Sequence, residues 1–566
     1  MLGQGETIKD FQRRFPILFR AISIFFFLLS VRLVFLQVYR GQLYREFSEK
    51  NSLRKENIPA PRGQVFDREN RLLVDNRLQL DIVITPQFAK DLKRVLAILS
   101  ELSGEPFERL WTRYRSRLQR VFKFQPITLI ENAPWDLVVK VESSKTELPG
   151  VEVISRIRRT YLHQRVGSHL LGYLGEVSRE VLESYQKKGI KEYSLGDWVG
   201  VSGLEQQWEK QLRGVEGTQY VEVDAHGHRL NSLGEEKTIL HDLPPVEDPI
   251  PGSSLFLTID EDLQLAAAEA FKGKLGAVVA MDPRTGEVLA MLSQPSFDPT
   301  DMSGKDQDLV QSYNKSPYGA WSNKTLHDHY PPGSTFKVFS ALAALEAGIV
   351  TPTTTVRCPG FYKFGNRRYH CHKKEGHGLV DLHDAIAGSC DVYFYQIASR
   401  LGVNPISKMA MNFGLGAKTG IELADEKTGL MPTEEWKLAT RGQVWTPGET
   451  LSTSIGQGYN LVTPLQVAVA YSTLVNGGNL YRPYVVSKVE TIEGEVVKRF
   501  SPVLISSYKI NPDFLSKIKD ALHDVANAPG GTAAAFLRTP DKLISGKSGT
   551  TQVVSLSAED LFKPCQ

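Results

Sequence analysis

Cysteine is scarce in this chain of 566 residues, which has four. That is too few for a disulfide framework to hold the fold together. Neither sign of charge dominates: 67 lysines and arginines face 64 aspartates and glutamates, so net charge gives no reason to expect a nucleic-acid partner. Internal repeats and low-complexity tracts are also lacking. With 41% hydrophobic and 9% aromatic residues, the chain is globular, and its length allows two or three domains with real cores.

Long apolar runs are almost absent, with one exception. "FPILFRAISIFFFLLSVRLVFLQVYR" holds about 23 mostly apolar residues between Ile17 and Tyr39, enough to cross a bilayer as a helix. A buried core helix is the alternative. Arg20 can snorkel to one interface, and Arg32, which sits deeper, can face a partner helix. The run is too long for a signal-peptide core and has no small-residue cleavage site. Lys9, Arg13 and Arg14 precede it, which places a tail of residues 1–16 in the cytoplasm, the span at 17–39, and the rest outside.

Residues 40–250 are charged and irregular. Strand-like alternation occurs in "LDIVIT" and "YVEVDAHG", and helical periodicity in "AKDLKRVLAILSEL" and "REVLESYQKK". Prolines then gather in "DLPPVEDPIPGSS", a hinge before a second domain over 251–566. That domain opens as strand and helix ("SLFLTIDEDLQLAAAEAF"), followed by a hairpin turned at Asp282 to Gly286.

The chemistry-bearing stretch is "YPPGSTFKVFSALAALEAG", residues 330–348. Ser-x-x-Lys alone decides nothing, because Ser52, Ser184, Ser312, Ser506 and Ser516 start the same pattern. Only at Ser334 do Pro331, Pro332 and Gly333 break the chain directly before an apolar helix that ends near Gly348. Lys337 then lies one turn beyond Ser334, on the same helical face. A serine needs a proton acceptor to become a nucleophile, and a buried lysine can serve. The bland alternative is an N-cap serine beside a surface lysine.

Two further elements favour the chemistry. "SCD" supplies Ser389 and Asp391, and "GKSGTT" supplies Lys547, Ser548, Gly549, Thr550 and Thr551. "KTG" at Lys418 and Lys427 lies in polar, glycine-rich sequence that reads as loop, whereas the β-branched residues after Lys547 predict a strand along a cleft. In this order the elements resemble the class B penicillin-binding proteins, membrane-anchored D,D-transpeptidases that cross-link peptidoglycan. "APRGQVFDRENRLLVDN" (Arg62, Gly63 and Asp67), "GVSGLEQQWEKQLRG" and "TSIGQGYNLVTPLQVAVAYSTLVNGG" are similar to recurring segments of that family.

The resemblance implies an α/β (α+β) transpeptidase fold like that of the serine β-lactamases, with an antiparallel sheet flanked by helices. An elongated α+β pedestal and one transmembrane helix would precede it. It implies that Ser334 attacks a D-alanyl-D-alanine carbonyl, Lys337 takes the proton and Ser389 relays one to the leaving amine. Lys547 with Thr550 and Thr551 would hold the terminal carboxylate, and the backbone amides of Ser334 and Thr550 would form the oxyanion hole. β-Lactams would acylate the same serine. Aspartate at 391, where many relatives have asparagine, resembles the elongation-specific penicillin-binding protein 2 group. A septal transpeptidase, a β-lactamase-like hydrolase and a non-catalytic scaffold are the alternatives. The implied setting is the bacterial inner membrane with the catalytic domain in the periplasm, a RodA-type glycosyltransferase and an MreC-type scaffold as partners, and no organic cofactor. Family members continue with further strands and a helix, whereas sixteen residues follow Thr550 here, so the domain is expected to be truncated at its C-terminus.

The scarce cysteines are themselves clustered. Cys358, Cys371 and Cys390 fall within 33 residues that also hold His377. Three thiolates and an imidazole make a closed, structural zinc site, and the pattern resembles a metal site of some elongation-type relatives. A disulfide between two of these cysteines is the competing reading.

Overall fold

The computed structural model describes residues 4–39, 53–89, 91–118, 126–187, 193–194, 197–222, 246–304, 307–538 and 544–551. The ends of the expected strand at "YVEVDAHG" and hinge at "DLPPVEDPIPGSS", like Cys565, lie outside them. Two compact units form, one from residues 1–61 with 214–251, the other from 62–213 with 252–566.

In the first unit, helix Gln4–Val34 continues into a π-helical turn, Phe35–Tyr39. Its Leu18–Val38 stretch is 21 residues with a mean hydropathy of 2.2, about 30 Å long at 1.5 Å per residue and matched to a bilayer core. Strand Leu53–Ile58 pairs antiparallel with Gly217–Glu222.

The second unit is built on a mixed seven-stranded sheet. The path runs Val496–Arg499, Val486–Glu490, Ser254–Leu257, Val65–Phe66, Leu72–Ile84, Ile127–Ile130, and Val151–Tyr161 also pairs with the long Leu72–Ile84 strand. The sheet thus joins sequence separated by about 190 residues, with Val65 opposite Leu255 in parallel register. Gly63 permits this close approach, since a Cβ there would stand 1.9 Å from the Ser253 carbonyl oxygen. Beside it lies a buried ion network. The Arg62 and Arg159 guanidiniums both donate to Glu205, at 2.6 and 2.7 Å, and Arg62 also donates to Glu209 at 2.5 Å. Burial alone would raise the Glu205 carboxyl pKa, but the two guanidiniums overcome this and hold it below its ordinary value. Glu205→Ala strands the buried Arg159 and leaves Arg62 only Glu209, so it is expected to cost about 3–5 kcal/mol, read as a lower denaturation midpoint; a loss under about 1 kcal/mol would contradict this role.

Helices dominate the remainder. Lys337–Glu346 is buried along residues 337–345, and packs on Asp391–Leu401 and Val403–Asn412. Such all-round burial is what its apolar sequence requires. The antiparallel hairpin Gly276–Met281 with Val288–Gln294 turns as expected at Asp282, where the Gly286 N–H bonds the Asp282 carbonyl at 2.9 Å. Pro464–Val475 packs against that hairpin.

One expectation needs correction where it can be read, since residues 552–554 of the strand expected after Lys547 lie outside the described residues. Residues 544–551, which include Lys547 to Thr551, form no strand. β-Branched composition favours a strand only where a neighbouring edge supplies ladder bonds. Here this stretch is held instead by the Gly546 N–H on the Leu522 carbonyl and by side-chain bonds described below.

Candidate active site

Ser334 sits in a 3₁₀ turn, Gly333–Phe336, that feeds directly into the Lys337–Glu346 helix. Gly333 has φ +57, and a Cβ there would lie 2.7 Å from the Thr550 carbonyl oxygen. Glycine therefore lets the Lys547–Thr551 stretch close over the turn. The backbone N–H of Lys337 bonds the Ser334 carbonyl, which ties the two residues together through the turn.

The Lys337 side chain is fully buried. Its Nζ donates to the Ser389 carbonyl at 2.8 Å and to Ser389 Oγ at 3.1 Å, and pairs with Asp391 Oδ1 at 2.7 Å. An ammonium has three protons, so each has a partner. Ser389 can offer both oxygens because its backbone is left-handed, φ 56, a costly conformation for serine that the surrounding packing must hold. Asp391 begins the helix Asp391–Leu401 and takes the His372 backbone N–H on Oδ2 at 2.9 Å. Burial would raise its pKa, but the Lys337 ammonium and His372 hold it well below the usual carboxylate range.

The third element closes the cleft. Thr551 Oγ1 donates to the Pro331 carbonyl at 2.8 Å, Ser548 Oγ lies 2.6 Å from Thr532 Oγ1, and Gly549 lies against Thr335 and the Pro332 carbonyl. Gln457 Nε2 donates to the Thr550 carbonyl at 3.4 Å. Burial, with the nearby Lys337 charge, pulls the Lys547 ammonium down to about 7. Ser334, Lys337, Ser389, Asp391 and residues 547–551 are therefore gathered at one place. Lys418 and Lys427 lie in irregular loops, as their sequence implies. Thr532, which bonds Ser548 Oγ, and His372, which reaches Asp391 through its backbone N–H and its ring Nδ1, were missed because neither carries a motif. Gln457 falls within "TSIGQGYNLVTPLQVAVAYSTLVNGG", where no sequence pattern assigns it a role.

The low Lys547 value has a sign that can be tested. Lys547 is charged below about pH 7 and neutral above it, so if it holds a substrate carboxylate, as the family resemblance implies, that carboxylate binds best at the lower pH. The KM of a carboxylate-bearing substrate should rise from about pH 6 to about pH 8, approaching 10-fold per unit above 7. Lys547→Arg, which stays charged, should flatten that rise; a flat parent profile would contradict the assignment.

Ligand atoms of Cys358, Cys371, His377 and Cys390 all lie within 4.8 Å of one another, and the three cysteines are free thiols, not the disulfide weighed against a metal. His377 Nδ1 is 3.6 Å from Cys358 Sγ and 3.5 Å from Cys371 Sγ. Sulfur and nitrogen ligands of a tetrahedral zinc stand about 3.5 Å apart, so the spacing fits. His377 Nε2 faces the Gly388 carbonyl at 3.2 Å, which leaves Nδ1 free as a ligand.

A serine in the turn that enters a buried helix, three residues before a buried lysine bound to a second serine, with a further lysine near that lysine, is the residue set of a serine acyl-transfer enzyme of the penicillin-interacting class. Residues 276–562 match the penicillin-binding protein transpeptidase domain, and 57–241 the penicillin-binding protein dimerisation domain. The chain is 32% identical over 572 residues to the peptidoglycan D,D-transpeptidase MrdA of Acinetobacter baumannii, covering 98% of this chain and 81% of that one. Among solved structures it is similar to a complex between penicillin-binding protein 2 and MreC from Helicobacter pylori (28% identity, TM-score 0.72, 88% and 90% of the two chains). It is also similar to a chain in a structure on the coordination of polymerization and crosslinking by a peptidoglycan synthase complex (31%, TM-score 0.67, 95% and 88%). The chain belongs to the penicillin-binding protein family of peptidoglycan D,D-transpeptidases, in its elongation-type penicillin-binding protein 2 group.

Proposed function

We propose that Ser334 is the nucleophile of this transpeptidase. Its Oγ attacks the carbonyl between the last two D-alanines of a stem peptide, with Lys337 as the proton acceptor. Ser389, bonded to Lys337 Nζ, passes a proton to the departing D-alanine amine. The amine of a second stem then attacks the acyl-enzyme and regenerates Ser334. Lys547, Thr550 and Thr551 bind the donor's terminal carboxylate, Ser548 and Gly549 shape that edge, and the Ser334 and Thr550 backbone amides stabilise the oxyanion. The observation that carries this reading is the buried Lys337–Ser389–Asp391 constellation directly under the Ser334 turn.

Cys358, Cys371, His377 and Cys390 would hold a zinc ion whose contribution is structural. Cys390 lies between Ser389 and Asp391, so fixing it fixes both. Residues 1–16 form a cytoplasmic tail and 17–39 the membrane span; 40–250 form the pedestal and 251–566 the transpeptidase domain, on the periplasmic side of the inner membrane. Lys9, Arg13 and Arg14 before the span support that orientation. The match to a relative solved with MreC, and to one in a peptidoglycan synthase complex, supports an MreC-type scaffold and a RodA-type glycosyltransferase as partners in cell elongation.

The test supplies the full chain with uncross-linked glycan bearing pentapeptide stems. The reading expects cross-linked stems with release of one D-alanine per cross-link, both blocked by a penicillin. Release of D-alanine without any cross-link would point to a hydrolase instead.

A further inference from the structure

Between Val356 and Val380 the chain leaves the helical core as two nested antiparallel pairs, Val356–Cys358 with Gly378–Val380 and Phe361–Phe364 with Arg367–His370. This stretch carries Arg357, Lys363, Arg367, Arg368, Lys373 and Lys374 against a single acid, Glu375, in a chain otherwise near charge balance. All six cations are exposed. Lys363 stands directly opposite Arg368 in the register, and like charges so placed destabilise a strand pair. No carboxylate among the described residues forms an ion pair with Lys363, Arg367 or Arg368. Aromatic faces neighbour the two arginines instead: Arg368 is 4.8 Å from the Phe361 ring centre and Arg367 is 5.1 Å from that of Tyr369. No ion pair among the described residues relieves this repulsion, and an anionic ligand would.

The hairpin borders the active site. Tyr362 and Tyr369 pack on Tyr395 of the Asp391–Leu401 helix, with ring centres 6.5 and 5.6 Å apart. The Tyr369 hydroxyl donates to the Gly448 carbonyl at 3.5 Å, and the His372 N–H reaches Asp391. We infer that this hairpin is a binding surface for the carboxylate-bearing stem peptides of the glycan polymer, gathering uncross-linked strands at the rim of the cleft. The inference rests on the transpeptidase reading and extends it from the reacting peptide end to the rest of the polymer. Attachment to the Asp391 helix favours peptide carboxylates over lipid phosphates as the anion.

The test is co-sedimentation of the detergent-solubilised full chain with purified peptidoglycan rich in uncross-linked pentapeptides, at low and high salt. Lys363→Gln/Arg367→Gln/Arg368→Gln should sediment about 10-fold more weakly at low salt and lose most of the salt dependence. Arg367→Lys/Arg368→Lys should retain both. Acylation by a penicillin, which needs only the cleft, should keep the parent's rate in both variants. Unchanged sedimentation of the glutamine variant would overturn the inference. So would a parallel loss of acylation, which would mark a disturbed cleft, or unchanged polymer binding with lost binding to phosphatidylglycerol vesicles. If the parent is never acylated, the catalytic reading fails alone, because sedimentation still decides this one.

Discussion

Lys337→Met should lower the rate of penicillin acylation by ~10²–10⁴-fold. Methionine keeps an unbranched stem in a slot with no solvent access but removes the nitrogen shared by Ser389 and Asp391. Two costs must be separated. Loss of the proton acceptor slows chemistry, while loss of the cation leaves the Asp391 carboxylate buried beside His372, a penalty of about 3–5 kcal/mol. Lys337→Met/Asp391→Asn removes that stranded charge. The double variant should therefore recover much of the melting temperature while acylation stays low. Acylation recovered together with stability would show that Lys337 only holds the fold.

The second large effect concerns the thiol cluster. Protein purified without chelators should contain one zinc per chain by elemental analysis, and Cys371→Ser should lower acylation ~10–100-fold together with the melting temperature. The link runs through backbone: Cys390 is flanked by Ser389, held in a left-handed conformation, and by Asp391, whose Oδ2 is bonded to the residue after Cys371. Loosening either cysteine frees the oxygens that orient Lys337. A metal-free preparation that acylates at full rate would sink this assignment.

Much of the site was legible because its parts are local. Two prolines, a glycine and an apolar run singled out Ser334 from five other Ser-x-x-Lys matches, and three of the four cysteines crowd around one histidine. What was not legible is long-range. Lys337 bonds a serine 52 residues away, and helical spacing could place it only beside Ser334. Arg62 finds Glu205 across 143 residues, a pairing that no periodicity encodes. The parallel register of Val65 with Leu255 is equally silent, because a two-residue strand has no alternation to read. The missing strand at 547–551 shows the converse. Composition there named a preference, but side-chain bonds to Pro331 and Thr532 set the conformation.

The most direct test of the account is the intact mass of the full chain after incubation with a penicillin, beside Ser334→Ala. One added penicillin per chain, mapped to the peptide containing Ser334 and absent from the alanine variant, is the predicted result. An adduct that survives in Ser334→Ala, or no adduct on the parent chain, would contradict it.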